Sequence, residues 1–274
     1  MATPRDGTAT LNGLRVHFLD WGGAGQAPLL LLHGSAQTAH SWDEVAPDLA
    51  RDHHVIALDQ RGHGDTDWAP DGAYRREDFV DDVGVFLDHN GWGRVALMGL
   101  SMGGLNALAF TAERPERVHG LVVVDITPRV ERAGGQAIAA HLTTYEFTSF
   151  EEAVESAHRF NPRRSLENIR DRLRHALRQQ PDGRWAYKFD PNIVARFGQN
   201  IEGLWADVHQ VRCPALLVRG AESPILAAEG AQRFREECPG ASIAEVAGAG
   251  HSVMGDNPSG FLAAVRPFLE RHGI

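Results

Sequence analysis

One serine of this chain stands in a pattern that is typical of nucleophilic catalysis. Ser101 is the centre of the stretch Gly99-Leu100-Ser101-Met102-Gly103 and follows an apolar run at residues 95–98. That run predicts a buried parallel strand, and residues 105–113, which contain no proline, predict a helix. A serine at such a strand-to-helix turn projects its hydroxyl above the strand ends, and the glycines let the backbone pass closely. The sequence therefore predicts Ser101 as a nucleophile.

A serine hydroxyl needs a neighbouring base to react at neutral pH. Among the 14 histidines, His251 fits this role best, because it follows the last predicted strand in a glycine-rich loop at residues 248–251. That loop is expected at the same carboxyl edge of the sheet as Ser101, where the catalytic groups of open α/β sheets gather. The late position of His251 also agrees with the chain order serine, acid, histidine.

Two carboxylates compete for the third role, which is to orient the imidazole and stabilise its positive form. Asp125 ends the apolar strand predicted over Val118–Val124, and Glu222 stands just beyond the strand predicted at residues 215–218. Side chains at both strand ends can reach one histidine. We favour Asp125, because an aspartate that ends a wholly apolar strand has no evident structural duty except to cap nearby loop amides. Glu222 remains the alternative acid.

A negative charge that develops on a carbonyl oxygen needs backbone N–H donors beside it. Met102, at the start of the predicted helix, supplies one such amide. The second is expected in the loop His33-Gly34-Ser35-Ala36, which follows a predicted strand at residues 29–32, and we assign it to Ser35. The predicted oxyanion hole thus consists of the amides of Ser35 and Met102. His33 is expected to orient this loop by hydrogen bonding.

Residues that contact the substrate are harder to locate from a sequence. The candidates for the substrate pocket are His33, His40, Trp42, His141 and Phe147. Aromatic side chains after residue 128 are expected to divide between a local core and the pocket wall. They are Phe147, Phe150, Phe160, Trp185, Tyr187, Phe197 and Trp205.

A second polar loop covers residues 59–65 and offers His63 together with the carboxylates of Asp59 and Asp65. No pair among them has a useful metal-ligand spacing with a third partner. We therefore predict a polar network that braces this loop, and no metal site.

Apolar runs alternate with helical segments around these residues. Further buried strands are predicted at residues 55–58 and 243–246, and helices at residues 42–50 and 79–90. Such alternation predicts an α/β fold with a mostly parallel sheet and helices on both faces.

The composition and the hydrophobic pattern of the sequence change after residue 128. Residues 129–205 are charged, show helical patterns without an apolar strand, and are interrupted by prolines and a glycine at 162, 181, 183 and 191. We expect this segment to form a helical cap, or lid, inserted into a core domain of residues 1–128 and 206–274.

Composition excludes several classes of function. The chain has 274 residues, of which 43% are hydrophobic and 23% charged, as in ordinary globular proteins. A formal net charge of −9 argues against nucleic acid as a partner. No uncharged apolar run is long enough to span a membrane, and residues 1–7 lack the apolar stretch of a secretory signal. We expect a cytoplasmic monomer or homodimer with Cys213 and Cys238 as free thiols.

Taken together, these motifs resemble the α/β-hydrolase superfamily over essentially the whole chain. The matching pieces are His33-Gly34, the loop at residues 59–64, the stretch Gly99 to Gly104, and Gly250-His251. The stretch Val124-Asp125-Ile126-Thr127-Pro128 resembles a serine carboxylesterase-like branch in which some members use the aspartate after this strand as the triad acid. The resemblance implies a helical cap after that strand and no metal or organic cofactor.

The resemblance and the residues together predict the hydrolysis of a carboxylic ester of a small to medium-sized substrate through an acyl-enzyme. Relatives with a nucleophilic aspartate, such as epoxide hydrolases, are disfavoured because Ser101 occupies that position. The alternatives are an amide or lactone hydrolase, a cofactor-independent dioxygenase that uses a His–Asp pair, and a receptor that binds a small molecule in a capped pocket. The fold alone does not decide among them.

Overall fold

The computed structural model describes residues 3–23, 25–196 and 201–274, and the strands of these residues form two sheets. The strands are β1 (Arg5–Leu11), β2 (Leu14–Asp20), β3 (Ala27–Leu32), β4 (His53–Leu58), β5 (Val95–Leu100), β6 (Val118–Val124), β7 (Glu146–Phe147), β8 (Leu177–Gln179), β9 (Trp185–Tyr187), β10 (Ala215–Gly220) and β11 (Ala241–Val246).

The central sheet has eight strands in the order β1-β2-β4-β3-β5-β6-β10-β11. β1 pairs with β2, and β2 with β4, in antiparallel fashion, whereas all other neighbours are parallel. The mostly parallel sheet predicted from the sequence is thus confirmed. Leu100 pairs with Val124, so Ser101 and Asp125 leave neighbouring strands side by side at the carboxyl edge of the sheet.

Helices pack on both faces of the central sheet, and further helices form much of the segment between β6 and β10. They are α1 (Ala46–Leu49), α2 (Arg76–His89), α3 (Met102–Glu113), α4 (Arg132–Leu142), α5 (Phe150–Phe160), α6 (Leu166–Ala176), α7 (Trp205–Val208), α8 (Ala228–Glu237), α9 (Val253–Asp256) and α10 (Pro258–His272). Among the described residues, none of these helices is long and apolar enough to cross a membrane.

The two faces of the sheet carry separate hydrophobic clusters, because side chains alternate along each strand. On β3, Leu30 packs in the cluster that contains Phe110 of α3, whereas Leu31 packs in the cluster that contains Phe261 of α10. Both residues of β3 are completely buried. The prediction of helices on both faces is therefore confirmed.

The helix predicted at residues 42–50 is not continuous. The chain instead forms a short 3₁₀ helix over Ala39–Trp42 and then α1, with Pro47 in its first turn. Proline lacks an N–H and disfavours the helical conformation at the preceding residue, so a helix can begin near Pro47 but cannot run through it.

The segment between β6 and β10 combines helices with strands. The short strands β7, β9 and β8 form an antiparallel sheet in that order, although the sequence pattern predicted helices alone. Strands of two or three residues are too short to show an alternating pattern. The segment also has its own cluster of buried side chains, with Phe147, Leu173 and Tyr187 among its members. Phe197 of the predicted aromatic set lies outside the described residues.

Two glycines bring α3 against the strands that precede it. A Cβ atom at Gly99 would lie 2.3 Å from the carbonyl oxygen of Gly103, and one at Gly103 would lie 2.4 Å from the carbonyl oxygen of Leu32. Neither distance is compatible with a side chain, so both glycines are required for this close approach. The approach fixes the height of Ser101 above the sheet.

We predict that Gly103→Ala lowers the free energy of unfolding by about 2 kcal/mol or more, because the new methyl group must displace backbone in a packed core. Urea denaturation followed by circular dichroism measures this loss. Gly93→Ala is the matched control, because a Cβ there meets nothing within 4 Å. Equal effects of the two substitutions would contradict the packing argument.

Candidate active site

Ser101 occupies a strained turn between β5 and α3. Its backbone angles are φ 52° and ψ −119°, in a region that residues other than glycine rarely adopt. The Ser101 amide donates a hydrogen bond of 3.0 Å to the carbonyl of Val124, and the Ser101 carbonyl accepts one from Leu105. These bonds to β6 and α3 hold the turn, so that the side chain borders the space above the sheet.

His251 lies in the loop after β11, and the structure brings it to Asp125. Its Nδ1 donates a hydrogen bond of 2.9 Å to Asp125 Oδ2. Asp125 is completely buried, and it is a second non-glycine residue with a positive φ, 52°. The bond leaves Nε2 as the ring nitrogen that can accept a proton.

Two further donors hold the Asp125 carboxylate. The amide of Gly220, at the end of β10, donates to Oδ1 over 2.9 Å, and the hydroxyl of Ser223 donates to Oδ2 over 2.5 Å. Ser223 Oγ in turn accepts hydrogen bonds of 3.1 Å from the amides of Ile225 and Leu226. Ser223 was not among the candidates from the sequence, although it directly follows the alternative acid Glu222, three residues after the end of β10.

The alternative acid, Glu222, lies elsewhere. More than half of its side-chain surface, 53%, is exposed, and it pairs with Arg163 at 2.7 Å. Among the described residues it makes no hydrogen bond to His251. Of the two candidate carboxylates, the structure therefore brings Asp125 to the histidine.

Ser101 and His251 border one cavity of about 420 Å³. Within the described residues no hydrogen bond joins Ser101 Oγ to His251 Nε2. Such bonds are often long in enzymes without substrate and tighten when the substrate binds. A second cavity of about 1210 Å³ reaches Ser101 from the side of Met102 and α2. A substrate can therefore extend from Ser101 in two directions.

Ser35 borders both cavities, and Met102 borders the second one. Neither amide donates a hydrogen bond within the part of the chain that the structure describes. The Met102 amide is the first of α3, and such amides have no partner inside their helix. The two amides predicted for the oxyanion hole are thus unoccupied donors beside Ser101.

His33 supports the loop at residues 33–36, which carries the predicted oxyanion amide of Ser35. Gln60 donates its amide hydrogen to His33 Nε2 over 3.0 Å, so Nδ1 carries the proton and donates to the Gly34 carbonyl over 2.8 Å. Complete burial lowers the pKa of His33 from its ordinary value. The predicted orienting contact of His33 is present, but the ring does not line either cavity, so its assignment to substrate binding is corrected.

The remaining pocket candidates divide in the same way. His40 and His141 line the smaller cavity, and His141 stacks on Phe160 with 4.1 Å between ring centroids. Burial lowers the pKa of His141. Trp42 is completely buried under the sheet beside α10, and Phe147 is buried in the cluster of the inserted segment. Trp42 and Phe147 pack into these hydrophobic clusters, and neither side chain lines the cavity.

The loop at residues 59–65 forms a buried network. Burial alone would raise the pKa of Asp59, but hydrogen bonds from the His17 ring and from the amides of Asp65 and Ala39 hold it below its usual range. The Ala39 amide binds Asp59 Oδ1 at 2.6 Å. Asp59 therefore ties the start of the 3₁₀ helix after the oxyanion loop to β4.

In the described part of the chain, two groups of side chains bring potential metal ligands within 4.8 Å of one another. In His17, Asp59 and Asp65, the Asp59 oxygens already accept the hydrogen bonds described above. In His40, Asp43 and His175, the two imidazole rings stack with an interplanar angle of 19°. The nitrogen lone pairs of stacked rings lie in separate, nearly parallel planes, and His40 Nδ1 is already hydrogen-bonded to Asp43, so this arrangement does not favour binding of one ion.

Comparison with known proteins identifies the family. The family model described as alpha/beta hydrolase fold matches residues 27–258, and the chain belongs to this family. It is 31% identical over 261 residues to an esterase of Mycobacterium tuberculosis, which covers 92% of this chain and 85% of that protein. It is 31% identical over 269 residues to N-formylmaleamate deformylase of Pseudomonas putida, with 96% of each chain covered.

A solved structure agrees with this result. The crystal structure of E-2-(acetamidomethylene)succinate hydrolase matches 97% of this chain and 99% of its own with a TM-score of 0.89, at 23% identity. That likeness shows the fold. The resemblance inferred from the motifs is confirmed, and the esterase and hydrolase names of the sequence relatives support a hydrolase of the α/β fold.

His63, whose ring packs edge-on against that of His33, is completely buried. Burial, with a smaller contribution from the neighbouring His33, lowers the pKa of His63 to about 3 from 6.5. Below pH 6.5 the imidazole of His63 is protonated in the unfolded chain but stays neutral in the folded chain. Stability contributed by neutral His63 is therefore complete above that pH and decreases as the pH falls toward 3.

We predict that the free energy of unfolding of the wild-type protein falls more steeply between about pH 6 and 4 than that of His63→Phe, by up to about 1.4 kcal/mol per pH unit. Urea denaturation at a series of pH values measures both slopes. Parallel curves for the two proteins would show that His63 does not take part in acid destabilisation.

Proposed function

We propose that the chain hydrolyses carboxylic esters through an acyl-enzyme formed on Ser101. One observation carries the proposal. Ser101 and His251 border the same cavity, and His251 is held by the buried carboxylate of Asp125 with Nε2 left available. A nucleophile, a base and an orienting acid in this relation perform acyl transfer on several unrelated folds.

In the proposed reaction His251 Nε2 takes the proton of Ser101 as Oγ attacks the ester carbonyl. The carbonyl oxygen becomes negative and accepts hydrogen bonds from the amides of Ser35 and Met102. When the carbon–oxygen bond to the alcohol breaks, His251 returns its proton to that alcohol. The same histidine then removes a proton from water, which attacks the acyl-enzyme and releases the carboxylic acid.

We further propose that residues 129–205 act as a cap over this site. Side chains from α4, α5 and α6, among them His141, Phe160 and Leu173, line the smaller cavity together with Ser101 and His251. A cover of this kind excludes water and selects the groups that approach the nucleophile. Residues 197–200 of the proposed cap lie outside the described residues.

The relatives support two bond types. The M. tuberculosis relative and a second one from Escherichia coli, 28% identical over 250 residues, are both named esterases, which supports an ester. The relative named N-formylmaleamate deformylase matches at 31% identity, and it supports amide cleavage as the alternative. Both reactions use the same acyl-enzyme and differ in the leaving group that His251 protonates.

The first experiment measures hydrolysis of p-nitrophenyl esters from acetate to dodecanoate. Ser101→Ala is expected to abolish measurable turnover, because the nucleophile is missing. Asp125→Asn is expected to lower kcat roughly 10³–10⁴-fold, because the amide presents the wrong hydrogen-bonding pattern to His251 Nδ1. Folding of each variant is checked by circular dichroism.

The matched control is Glu222→Gln, which removes the other candidate carboxylate. Because Glu222 contacts Arg163 and not His251, kcat is expected to stay within about threefold of the wild-type value. Loss of activity in Glu222→Gln alone would contradict the assignment of Asp125. No turnover of any ester by the wild-type protein would leave amides as the next substrates to test.

The same assay tests Ser223 as a positioning residue. Ser223→Ala removes a donor from the oxygen of Asp125 that binds His251, and kcat/KM is expected to fall about tenfold or more, the usual effect of losing a hydrogen bond to a charged group. Ser223→Thr keeps the hydroxyl and is expected to retain most activity. Equal losses in the two variants would indicate a packing defect and contradict the positioning role.

A further inference from the structure

The smaller cavity has an unusual charge for this chain. The chain carries a formal net charge of −9, yet four arginines of the inserted segment line this cavity: Arg159, Arg163, Arg164 and Arg172. The only carboxylate among the described lining residues is Asp256. A cleft of one charge sign concentrates ligands of the opposite sign, so the cavity favours anions.

Two of these arginines are already neutralised. Arg164 donates from Nε to Asp256 over 3.0 Å, and both side chains are almost fully buried, at 4% and 1% exposure. Arg163 donates to Glu222 over 2.9 and 2.7 Å. The buried pair of Arg164 and Asp256 fixes part of the cavity wall, whereas the pair of Arg163 and Glu222 is partly exposed but still occupies two donor nitrogens of Arg163.

Arg159 is a weak candidate for ligand binding. It lies 3.8 Å from Glu155, one turn earlier on α5, and the side chains of both residues are 70% exposed. An exposed cation at the rim is screened by water and salt, so it contributes little to the selection of a ligand.

Arg172 differs from the other three arginines. It projects from α6, is partly buried, and within the described residues makes a single hydrogen bond, from Nη2 to Ser41 Oγ over 3.2 Å. No salt bridge of the described residues includes Arg172, and the residues outside the description contain no aspartate or glutamate. A guanidinium has five N–H donors, so most donors of Arg172 remain available at the cavity wall.

Ser41 gives Arg172 a defined position. Ser41 is buried in the 3₁₀ helix Ala39–Trp42, which follows the loop that contains Ser35. The hydrogen bond therefore ties α6 to the element behind the proposed oxyanion hole. Arg172 and Ser101 line the same cavity of about 420 Å³, so one small molecule can contact both.

We propose that Arg172 is the anchor of a carboxylate subsite, so that the molecule cleaved at Ser101 carries a free carboxylate in the part that fills this cavity. The planar guanidinium fork matches a carboxylate with two parallel hydrogen bonds. The substrate class is then an ester, or an amide, of a compound that keeps one acidic group. This inference rests on the proposed hydrolase function but adds a requirement that acyl transfer alone does not impose.

Two pairs of esters test the subsite. In the first pair, mono-p-nitrophenyl glutarate carries a carboxylate in the acyl part, and p-nitrophenyl pentanoate is its neutral counterpart. In the second pair, para-(carboxymethyl)phenyl acetate carries the carboxylate in the leaving group, and para-ethylphenyl acetate is its neutral counterpart. The wild-type protein is expected to prefer the charged member of at least one pair. Arg172→Met is expected to reduce that preference in kcat/KM by about 10- to 100-fold, the range for a hydrogen bond to a charged group.

The controls separate binding from folding. Circular dichroism checks that Arg172→Met is folded, and the ratio of kcat/KM for the charged and the neutral ester within each variant separates recognition of the charge from any general loss of activity. Arg172→Lys keeps the charge without the fork and is expected to give an intermediate preference. Arg170→Met is the matched control on the same helix, because Arg170 pairs with Glu151 and lies outside the cavity, and it is expected to leave the preference unchanged.

Calorimetric titration with glutarate distinguishes failure of the subsite from failure of the hydrolase proposal. Binding that is lost in Arg172→Met, without hydrolysis of any ester or amide, would keep the subsite and contradict the hydrolase function. Hydrolysis without preference for either charged ester, together with no glutarate binding that depends on Arg172, would overturn the subsite. Neither hydrolysis nor binding would overturn both.

Discussion

The buried carboxylate of Asp125 is the constraint on which the site depends. A carboxylate with no exposed surface is stable only when hydrogen bonds replace the water that it loses. Its donors come from three different places: the end of β10 at Gly220, the turn after β10 at Ser223, and the loop after β11 at His251. Satisfying this one charge therefore fixes the loops at the carboxyl edge of three strands.

Buried polar groups on the other side of Ser101 are also satisfied by hydrogen bonds, but there the groups are neutral. His33 is completely buried, and both of its ring nitrogens have partners, Gly34 and Gln60. Gln60 also binds Asn106 of α3 through its side chain. The loop that carries Ser35 is thus tied to the helix that begins with Met102, and the two amides proposed for the oxyanion hole keep their spacing through this network.

Much of the core could be predicted from the sequence for a simple physical reason. Buried parallel strands need continuous apolar runs, and the run before Ser101 and the one before Asp125 each form a predicted strand; in the structure the two pair with each other. The contact between Asp125 and His251 was likewise favoured in advance. Ser223 could not be predicted, because a single serine in a turn carries no pattern, and only the folded chain shows that it donates to Asp125.

The segment between β6 and β10 could be predicted less well, and again the cause is physical. Its strands have two or three residues, so they show no period, and Phe147 was assigned to the pocket although it completes a local core. Trp42 was misplaced in the same way, because an aromatic side chain suits a pocket wall as well as a packed face. Side-chain direction decides between the two, and it depends on partners that are distant in sequence.

This difference explains why the chemistry of the chain is easier to derive than its substrate. The proposed nucleophile, base and acid follow strands of the central sheet, whose geometry is set by apolar runs and glycines. The cationic wall of the cavity comes from α5, α6 and the turn between them, where charged residues also occur as ordinary surface groups. Only pairing separates them: Arg164 is neutralised by Asp256, whereas Arg172 keeps its donors at the cavity. In the proposed subsite, substrate choice rests on which charges remain unpaired, and that is a property of the folded structure.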